Sequence, residues 1–324
     1  IRRAPGRVRI SAQLVAVSDG HTLWSDRLDH AMDDLFHVQD EISEKVAAAV
    51  QPKLRFAEIR RAESRMPTER TVYDEVLTAY PLIWAHRPDA NTEAIATLTN
   101  ALAKDPNYTL ARALRAWCTA AQVGYCWTTD PAGDRTTAQE EAAASIRDMP
   151  DHAPTLVAAA SAMSLSTDDM RQAKDLCDRA LWLDPNNAWG WTRAGWIANY
   201  SAKPDDALKH FDRAERLSPL DPFRFNIFFG RAAALRRYKR FDEAIQLIEE
   251  GMRINPGATW AHRMLVGTHS LAGNADAARA AARAWKAVNP RINLQYVLAC
   301  LPPSWDTWES SYVQAMAEVG AHYD

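Results

Sequence analysis

The residues of this sequence best suited to catalysis or metal binding are four cysteines, nine histidines and three pairs of adjacent aspartates. Cys118, Cys126, Cys177 and Cys300 form no CxxC pair and stand among apolar residues, which favours reduced, buried thiols over disulfides. The histidines are scattered, and no HExxH stretch pairs two of them at the spacing of a zinc site. These residue types therefore predict no catalytic residue and no metal site.

The paired aspartates are Asp33–Asp34, Asp168–Asp169 and Asp205–Asp206. Carboxylates can bind metal ions, but each pair stands where a helix is predicted to begin, and the positive end of the helix dipole favours acidic side chains there. We interpret all three pairs as helix starts. No GxxxxGK[ST] or GxGxxG stretch is present to hold a phosphate, so the sequence also predicts no cofactor.

Composition narrows the class of protein. The chain has 324 residues, a net charge of −3 and 24% charged residues, without a long basic run, so we expect no contact with nucleic acid. No apolar run approaches the roughly 20 residues that a membrane span needs, and no signal peptide is visible. We expect a cytoplasmic globular protein without membrane contact.

A repeat explains most of the chain. Prolines recur after alanine-rich, helix-like segments at Pro106, Pro150, Pro185, Pro219, Pro256 and Pro290. Their separations are 44, 35, 34, 37 and 34 residues, and a period near 34 with two helices per unit indicates a tetratricopeptide array. The longer step contains the insertion GYCWTTDPAGDRTT at 124–137, which is either a binding loop or a tolerated insertion between two helices.

The segment from 189 to 222 resembles the tetratricopeptide motif most closely. In it, small residues such as Gly195 and Ala207 permit close helix contact, while Trp191 and Phe211 fill the space between the helices. Other units repeat this pattern more loosely, with small residues at matching positions. We predict an α-solenoid that ends in a capping helix or two within 293–320.

A solenoid of this kind curves, and the first helix of each pair lines its concave face. The register predicts a groove that binds a protein or peptide partner. Its predicted lining is Trp117, Trp196, Tyr200, Asn226, Phe229, Arg236 and Arg263. Aromatic and arginine side chains are typical of binding hot spots. The alternative for Trp196 is packing against the next unit, and the lysine and asparagine ladder that grips a peptide's terminal carboxylate is missing from these positions.

The first 66 residues follow a different pattern. Alternation of apolar and polar residues over 8–17 and 21–30, with the turn signal SDG between them, predicts an antiparallel β-hairpin. From Asp33 to Val50 the apolar spacing changes to that of a long helix, and 53–65 continues it. We therefore predict a mostly α fold with a partial α+β module at 1–66 and the solenoid at 67–324. The open edge of the hairpin is a possible site of self-association.

Three stretches of this module, RVRISAQL, GHTLWSDRLD and LFHVQDEI, point to a bacterial family. Residues 7–50 are similar to the region before the tetratricopeptide repeats of many proteobacterial class III adenylate/guanylate cyclases. The same module follows the winged-helix domain of CadC-like transcriptional regulators. The resemblance implies a regulatory region whose effector domain precedes residue 1. The metal-binding aspartates and base-reading residues of a cyclase domain have no counterpart here.

The leading hypothesis is a non-catalytic regulatory and interaction region of a bacterial signalling protein, most simply a nucleotide cyclase. A second hypothesis is the same region of a DNA-binding transcription regulator. A third is a free-standing enzyme with a pocket in the hairpin module, which a buried and strongly perturbed acid–base pair in a cleft would favour.

Overall fold

The structure is a computed structural model of the chain. It describes residues 2–4, 7–15, 20, 22–31, 54–167, 169–219 and 221–301. The predicted long helix from Asp33 to Val50, the aspartates at 33, 34 and 168, and the part of the predicted capping segment after residue 301 lie outside the described residues.

A three-stranded antiparallel sheet comprises β1 (Arg2–Ala4), β2 (Arg7–Val15) and β3 (Thr22–Ala31). Strands β2 and β3 form the pair expected from the alternating pattern, with Ile10 opposite Leu28. Between them Gly20 has a φ of 72°, a left-handed conformation that glycine adopts without steric cost. Strand β1 was not predicted, because three residues are too few for an alternation to be recognised.

The rest of the described chain is helical. Residues 54–63 form α1, and a 3₁₀ turn at Pro67–Glu69 leads into the repeats. Six helix–turn–helix pairs then follow within the described residues. They are α2 (Val72–Ala85) with α3 (Pro88–Lys104), α4 (Thr109–Gly124) with α5 (Pro131–Asp148), α6 (Ala153–Ser166) with α7 (Met170–Leu183), α8 (Ala188–Tyr200) with α9 (Pro204–Leu217), α10 (Phe225–Arg237) with α11 (Phe241–Ile254), and α12 (His262–Leu271) with α13 (Ala275–Val288). Helix α14 (Leu294–Cys300) packs after the last pair. The predicted α-solenoid is confirmed.

The repeating prolines mark the ends of the second helices. In all six pairs the proline stands two residues after the last helical residue, as Pro106 does after Lys104. Proline has no backbone N–H and cannot continue the helical hydrogen bonds, so each unit ends at the same position of its sequence. Of the paired aspartates, Asp169 caps α7 by accepting a hydrogen bond from the Arg171 N–H at 3.0 Å, and Asp205 and Asp206 lie in the first turn of α9.

Close packing inside a unit depends on the small residues. A Cβ on Gly195 of α8 would lie 2.5 Å from Cε1 of Phe211, a ring of α9 that is fully buried. Trp191 lies further out, half-buried against His210 with 5.4 Å between ring centroids, and its Nε1 donates to the Pro185 carbonyl at 2.8 Å. Both rings therefore join α8 to α9, as the motif predicts, but only Phe211 lies at the point of closest contact.

The solenoid curves until its last pairs touch its first two. Trp260, just before α12, donates from Nε1 to Nδ1 of His86 at the end of α2, 3.0 Å away. Asn255 donates from Nδ2 to the Trp84 carbonyl at 3.1 Å, which joins α11 to α2 in the same region. These partners are more than 170 residues apart in the sequence. The concave face is therefore enclosed, whereas the sequence predicts a groove along it.

The insertion at 124–137 supplies a second part of this closure. Residues 125–130 connect α4 to α5, and the remainder extends α5 at its start. Asn289 donates from Nδ2 to the Cys126 carbonyl at 2.8 Å, and the Tyr296 hydroxyl donates to the Thr128 carbonyl at 2.6 Å. The insertion thus has a packing role between repeats that are far apart in the sequence.

Candidate ligand-binding cavity

The enclosed concave side contains a partly open cavity, which together with the solvent at its mouth measures about 660 Å³. The first helices of the pairs supply most of its lining. Five of the seven predicted groove residues line it: Trp196, Tyr200, Asn226, Arg236 and Arg263. Their role in binding stays a prediction, but the structure brings them to one place.

The other two predicted residues lie elsewhere. Trp117 is 2% exposed and packs on Trp189 and Phe223, with ring centroids 5.3 and 6.0 Å apart. Phe229 is fully buried against Phe225 and the ring of Trp260. Because the solenoid closes, aromatic side chains fill the part of its interior where these two residues stand.

Helix α8 presents one continuous stripe to the interior. Trp189, Arg193, Trp196 and Tyr200 are spaced by four, three and four residues, so they lie on one helix face. The last three of these residues line the cavity. Trp189 instead lies at the start of α8, as expected from its position after the turn.

Arg193 is the most unusual residue of the lining. It is 2% exposed, its Nη1 donates to Ser164 Oγ at 3.2 Å, and its Nε has no hydrogen-bond partner. No carboxylate of the described residues forms an ion pair with it. Burying a charge without a counter-charge costs several kcal/mol, so the fold maintains this guanidinium at the expense of stability.

Two further arginines reach the same cavity. Arg263 of α12 is 7% exposed, and its Nη1 donates to the Gly124 carbonyl at the end of α4, 3.0 Å away. Arg236 of α10 is half-buried in the lining. None of the described lining residues is acidic, so the charged groups of the described lining are all guanidinium groups.

Aromatic rings form the walls between these charges. Trp196 and Tyr200 of α8 lie 5.7 Å apart between ring centroids, and Trp196 Nε1 donates to Asn226 Oδ1. Tyr125, just after α4, stacks on Trp260 with centroids 4.4 Å apart and planes 19° from parallel. Large flat surfaces therefore stand beside the guanidinium groups.

The arginine charges act on the neighbouring titratable groups. Burial, and after it the charge of Arg193, lowers the pKa of His86 to about 3, so this imidazole is neutral at neutral pH. Burial also raises the pKa of Tyr125, although Arg193 and Arg263 oppose that shift. The charge of Arg193 thus acts on His86, which takes part in the contact that closes the solenoid.

The described lining residues offer no group suited to proton transfer at neutral pH, since they include no carboxylate, imidazole, thiol or ammonium group. A thiol pair lies nearby, outside the lining. The hydrogen bond with the Cys300 thiol lowers the pKa of Cys126, with help from Arg263, and it raises the pKa of Cys300. Among the described residues, no three His, Cys, Asp or Glu side chains form a group that could hold a metal ion.

Sequence reasoning missed four lining residues that now matter: Arg193, Asn199, Tyr125 and Trp260. The helical spacing of Arg193 from the α8 tryptophans would have identified it. The positions of Tyr125 and Trp260 follow from contacts between repeats far apart in sequence, which helical periodicity within one unit does not reveal.

Comparison with known proteins agrees with this architecture. Residues 235–300, from α10 to α14, match a family model described as tetratricopeptide repeat. The chain carries a tetratricopeptide-repeat region. None of the helices in the described part of the chain is long and apolar enough to cross a membrane.

One curated relative is a putative adenylate cyclase 3 from Rhizobium meliloti (strain 1021), 34% identical over 113 residues. The match covers 35% of this chain and 19% of the relative, so the matched segment is about a third of the chain and less than a fifth of that protein.

Two solved structures share the fold. The human IFIT1 dimer with PPP-AAAA has a TM-score of 0.53 and 16% identity, covering 75% of this chain and 53% of that chain. The APC/C hetero-tetramer Cut9-Hcn1 has a TM-score of 0.51 and 14% identity, covering 79% of this chain and 47% of that one. At such identities the likeness concerns the fold alone.

Proposed function

We propose that this chain is a non-catalytic regulatory and interaction region of a bacterial signalling protein, and that it binds its ligand or partner in the arginine-lined cavity. The observation that carries the proposal is Arg193, a guanidinium that is buried without an ion-pair partner beside a cavity. A fold accepts such a cost where the charge serves binding.

The parent protein that we favour is an adenylate cyclase with tetratricopeptide repeats. The partial match to the putative adenylate cyclase supports it, as do the three stretches within 7–50 that resemble the cyclase family. The CadC-like transcription regulators share that resemblance and remain the second candidate. In either case the protein would act in the cytoplasm, with 1–66 and 67–324 as separate modules.

The enclosed cavity refines the earlier idea of a groove for a protein or peptide. Because His86 and Trp260 close the solenoid, a partner would insert a chain end or a side chain into the cavity, and would not lie along the whole concave face. Self-association through the β-sheet is an additional proposal. Strand β1 pairs only with Arg7–Arg9 of the longer strand β2, so among the described residues the rest of that edge of β2 is open to another strand.

The test uses the full-length protein that contains this chain, with Trp196→Ala and Arg236→Ala as cavity variants. If the cavity transmits a signal, each variant lowers the regulated output or the capture of the physiological partner by about tenfold, the effect of losing one hot-spot contact. Cyclase activity or promoter activity measures the output, depending on the effector domain.

Arg253→Ala is the matched control, since Arg253 is exposed on α11 and pairs with Glu250 at the surface. It should leave both readouts unchanged. If the two cavity variants behave like this control, the cavity has no regulatory role and the proposal is wrong.

A further inference from the structure

We propose that the cavity selects a compact organic anion, in which a carboxylate or phosphate group is joined to a planar ring. This inference rests on the proposed function, because it takes the cavity as the ligand-binding site and adds the chemical class of the ligand. The buried charge, the unpaired polar atoms, the ring surfaces and the closure of the concave side support it.

The buried charge of Arg193, which pairs with no carboxylate of the described residues, favours a negative ligand. Arg193, Arg236 and Arg263 contribute three guanidinium groups, and none of the described lining residues contributes a carboxylate. Guanidinium groups bind carboxylates and phosphates through paired, charge-assisted hydrogen bonds, which are roughly twice as strong as neutral ones. An oxyanion in the cavity would also give Arg193 a counter-charge and so offset part of the cost of its burial.

Two buried polar atoms of the lining lack partners and indicate where a ligand would bond. Arg193 Nε is a donor without an acceptor, and Asn199 Oδ1 is an acceptor without a donor. The other end of the Asn199 amide is fixed, since Nδ2 donates to the Gly230 carbonyl at 2.9 Å. A ligand with an oxyanion and a nearby N–H or O–H would satisfy both atoms, whereas a simple inorganic anion without a proton would satisfy only the first.

The ring surfaces favour a ligand with a flat portion. Trp196 and Tyr200 lie on one helix of the lining, and the stacked pair of Tyr125 and Trp260 lies on the α4 loop and at the start of α12. Aromatic side chains bind planar rings by offset or edge contacts with centroids about 4.5–7 Å apart. An aliphatic anion would leave these faces without a matching partner.

The size of the cavity selects against a long peptide. The space of about 660 Å³ includes solvent outside the cavity mouth, so the enclosed part is smaller and suits a compact ligand. The hydrogen bond between Trp260 and His86, and that between Arg263 and the Gly124 carbonyl, join the two ends of the superhelix across the concave side. An extended chain therefore has no continuous path, and a compact ligand fits the space.

Thermal unfolding and titration calorimetry of the chain test this ligand class with defined probes. The ring-bearing anions are adenosine 5′-monophosphate and indole-3-carboxylate, and the half-probes are inorganic phosphate and adenosine. We expect at least one ring-bearing anion to raise Tm by about 3 °C or more at saturation, with a smaller shift from either half-probe.

Arg193→Met separates binding from folding. Methionine fills a similar space without the charge, so the free variant should have a Tm equal to or above that of the wild type, while the Kd for the ring-bearing anion rises at least tenfold. Arg253→Met, which removes a surface charge, is the control and should bind like the wild type. If Arg193→Met does not fold, Arg236→Gln at the half-buried position decides the question.

The proposal is overturned if neither ring-bearing anion binds, or if their binding survives both Arg193→Met and Arg236→Gln. Equal affinity for inorganic phosphate would refute the planar ring. If no probe binds but Trp196→Ala alters the output of the full-length protein, the ligand class is wrong and the proposed function stands. If a ring-bearing anion binds but Trp196→Ala leaves the output unaltered, the proposed function is wrong and the ligand class stands.

Discussion

At the scale of single residues, one phenyl ring sets how closely neighbouring helices approach. Phe211 of α9 is fully buried, and both Gly195 of α8 and Gly230 of α10 face it where a Cβ would overlap the ring. A glycine inside a helix costs about 1 kcal/mol relative to alanine. Here the contact with Phe211 offsets that cost, because any larger side chain would force the ring or the helix to move.

Gly195→Ala should therefore destabilise the protein although alanine favours helix. Overpacking costs roughly 1–3 kcal/mol and the gain in helix propensity is about 1 kcal/mol, so we expect a net loss of about 1 kcal/mol, and at most about 2 kcal/mol, in the free energy of unfolding. Urea denaturation measures the change. In the Phe211→Leu background the same substitution should cost less, and an equal cost in both backgrounds would show that the ring is not the cause.

At the scale of elements, the connection between α4 and α5 links repeats that are far apart in sequence. Its backbone carbonyls at Cys126 and Thr128 accept hydrogen bonds from Asn289 and Tyr296. From α5, Arg135 donates to the Leu301 carbonyl after α14, 3.1 Å away. A six-residue connection with buried side chains thus joins the second helical pair to the end of the described solenoid.

The elements themselves were predictable from the sequence, because proline and small residues act within one unit. Each repeating proline marks a helix end in the structure, and the alanines that were expected at helix contacts, such as Ala94 and Ala207, are fully buried. The closure was not predictable in the same way. It depends on pairs such as His86 with Trp260, which a 34-residue pattern does not connect.

In the candidate site, too, features set within one repeat were predictable, whereas those set by contacts between distant repeats were not. Five of its residues follow from their register on the first helices, and Arg193 follows from the stripe on α8 once that stripe is extended. Trp117 and Phe229 are predicted from the same register but pack into the interior. Register predicts that a side chain faces the concave side, whereas the curvature of the solenoid decides whether it meets a cavity or another ring.

At the scale of the whole molecule, His86 lies in the contact between the first and last repeats. It has a φ of 51°, it accepts a hydrogen bond from Trp260, and aromatic rings surround it. Burial and the charge of Arg193 lower its pKa from 6.5 to about 3. The closed form therefore requires a neutral imidazole.

We expect the pH dependence of stability to show that the folded state requires a neutral His86. Below pH 6.5 the unfolded chain protonates His86 while the folded chain does not, so stability is complete above pH 6.5 and declines towards pH 3, by up to about 1.4 kcal/mol per pH unit. Urea denaturation between pH 7.5 and 4.5 measures the slope. His86→Asn, which tolerates the positive φ, should flatten it, and an unchanged slope in that variant would refute the assignment.

The central claim is that the solenoid closes on itself and so forms an enclosed cavity. Spin labels on cysteines introduced at two exposed positions, Thr136 of α5 and Leu298 of α14, test it by dipolar spectroscopy, since the four native cysteines are buried. An open stack would place the labels about 40 Å apart, because each added helical pair contributes about 10 Å. We predict one narrow distribution at less than half that distance, and a broad distribution centred near the open-stack value would contradict the closure.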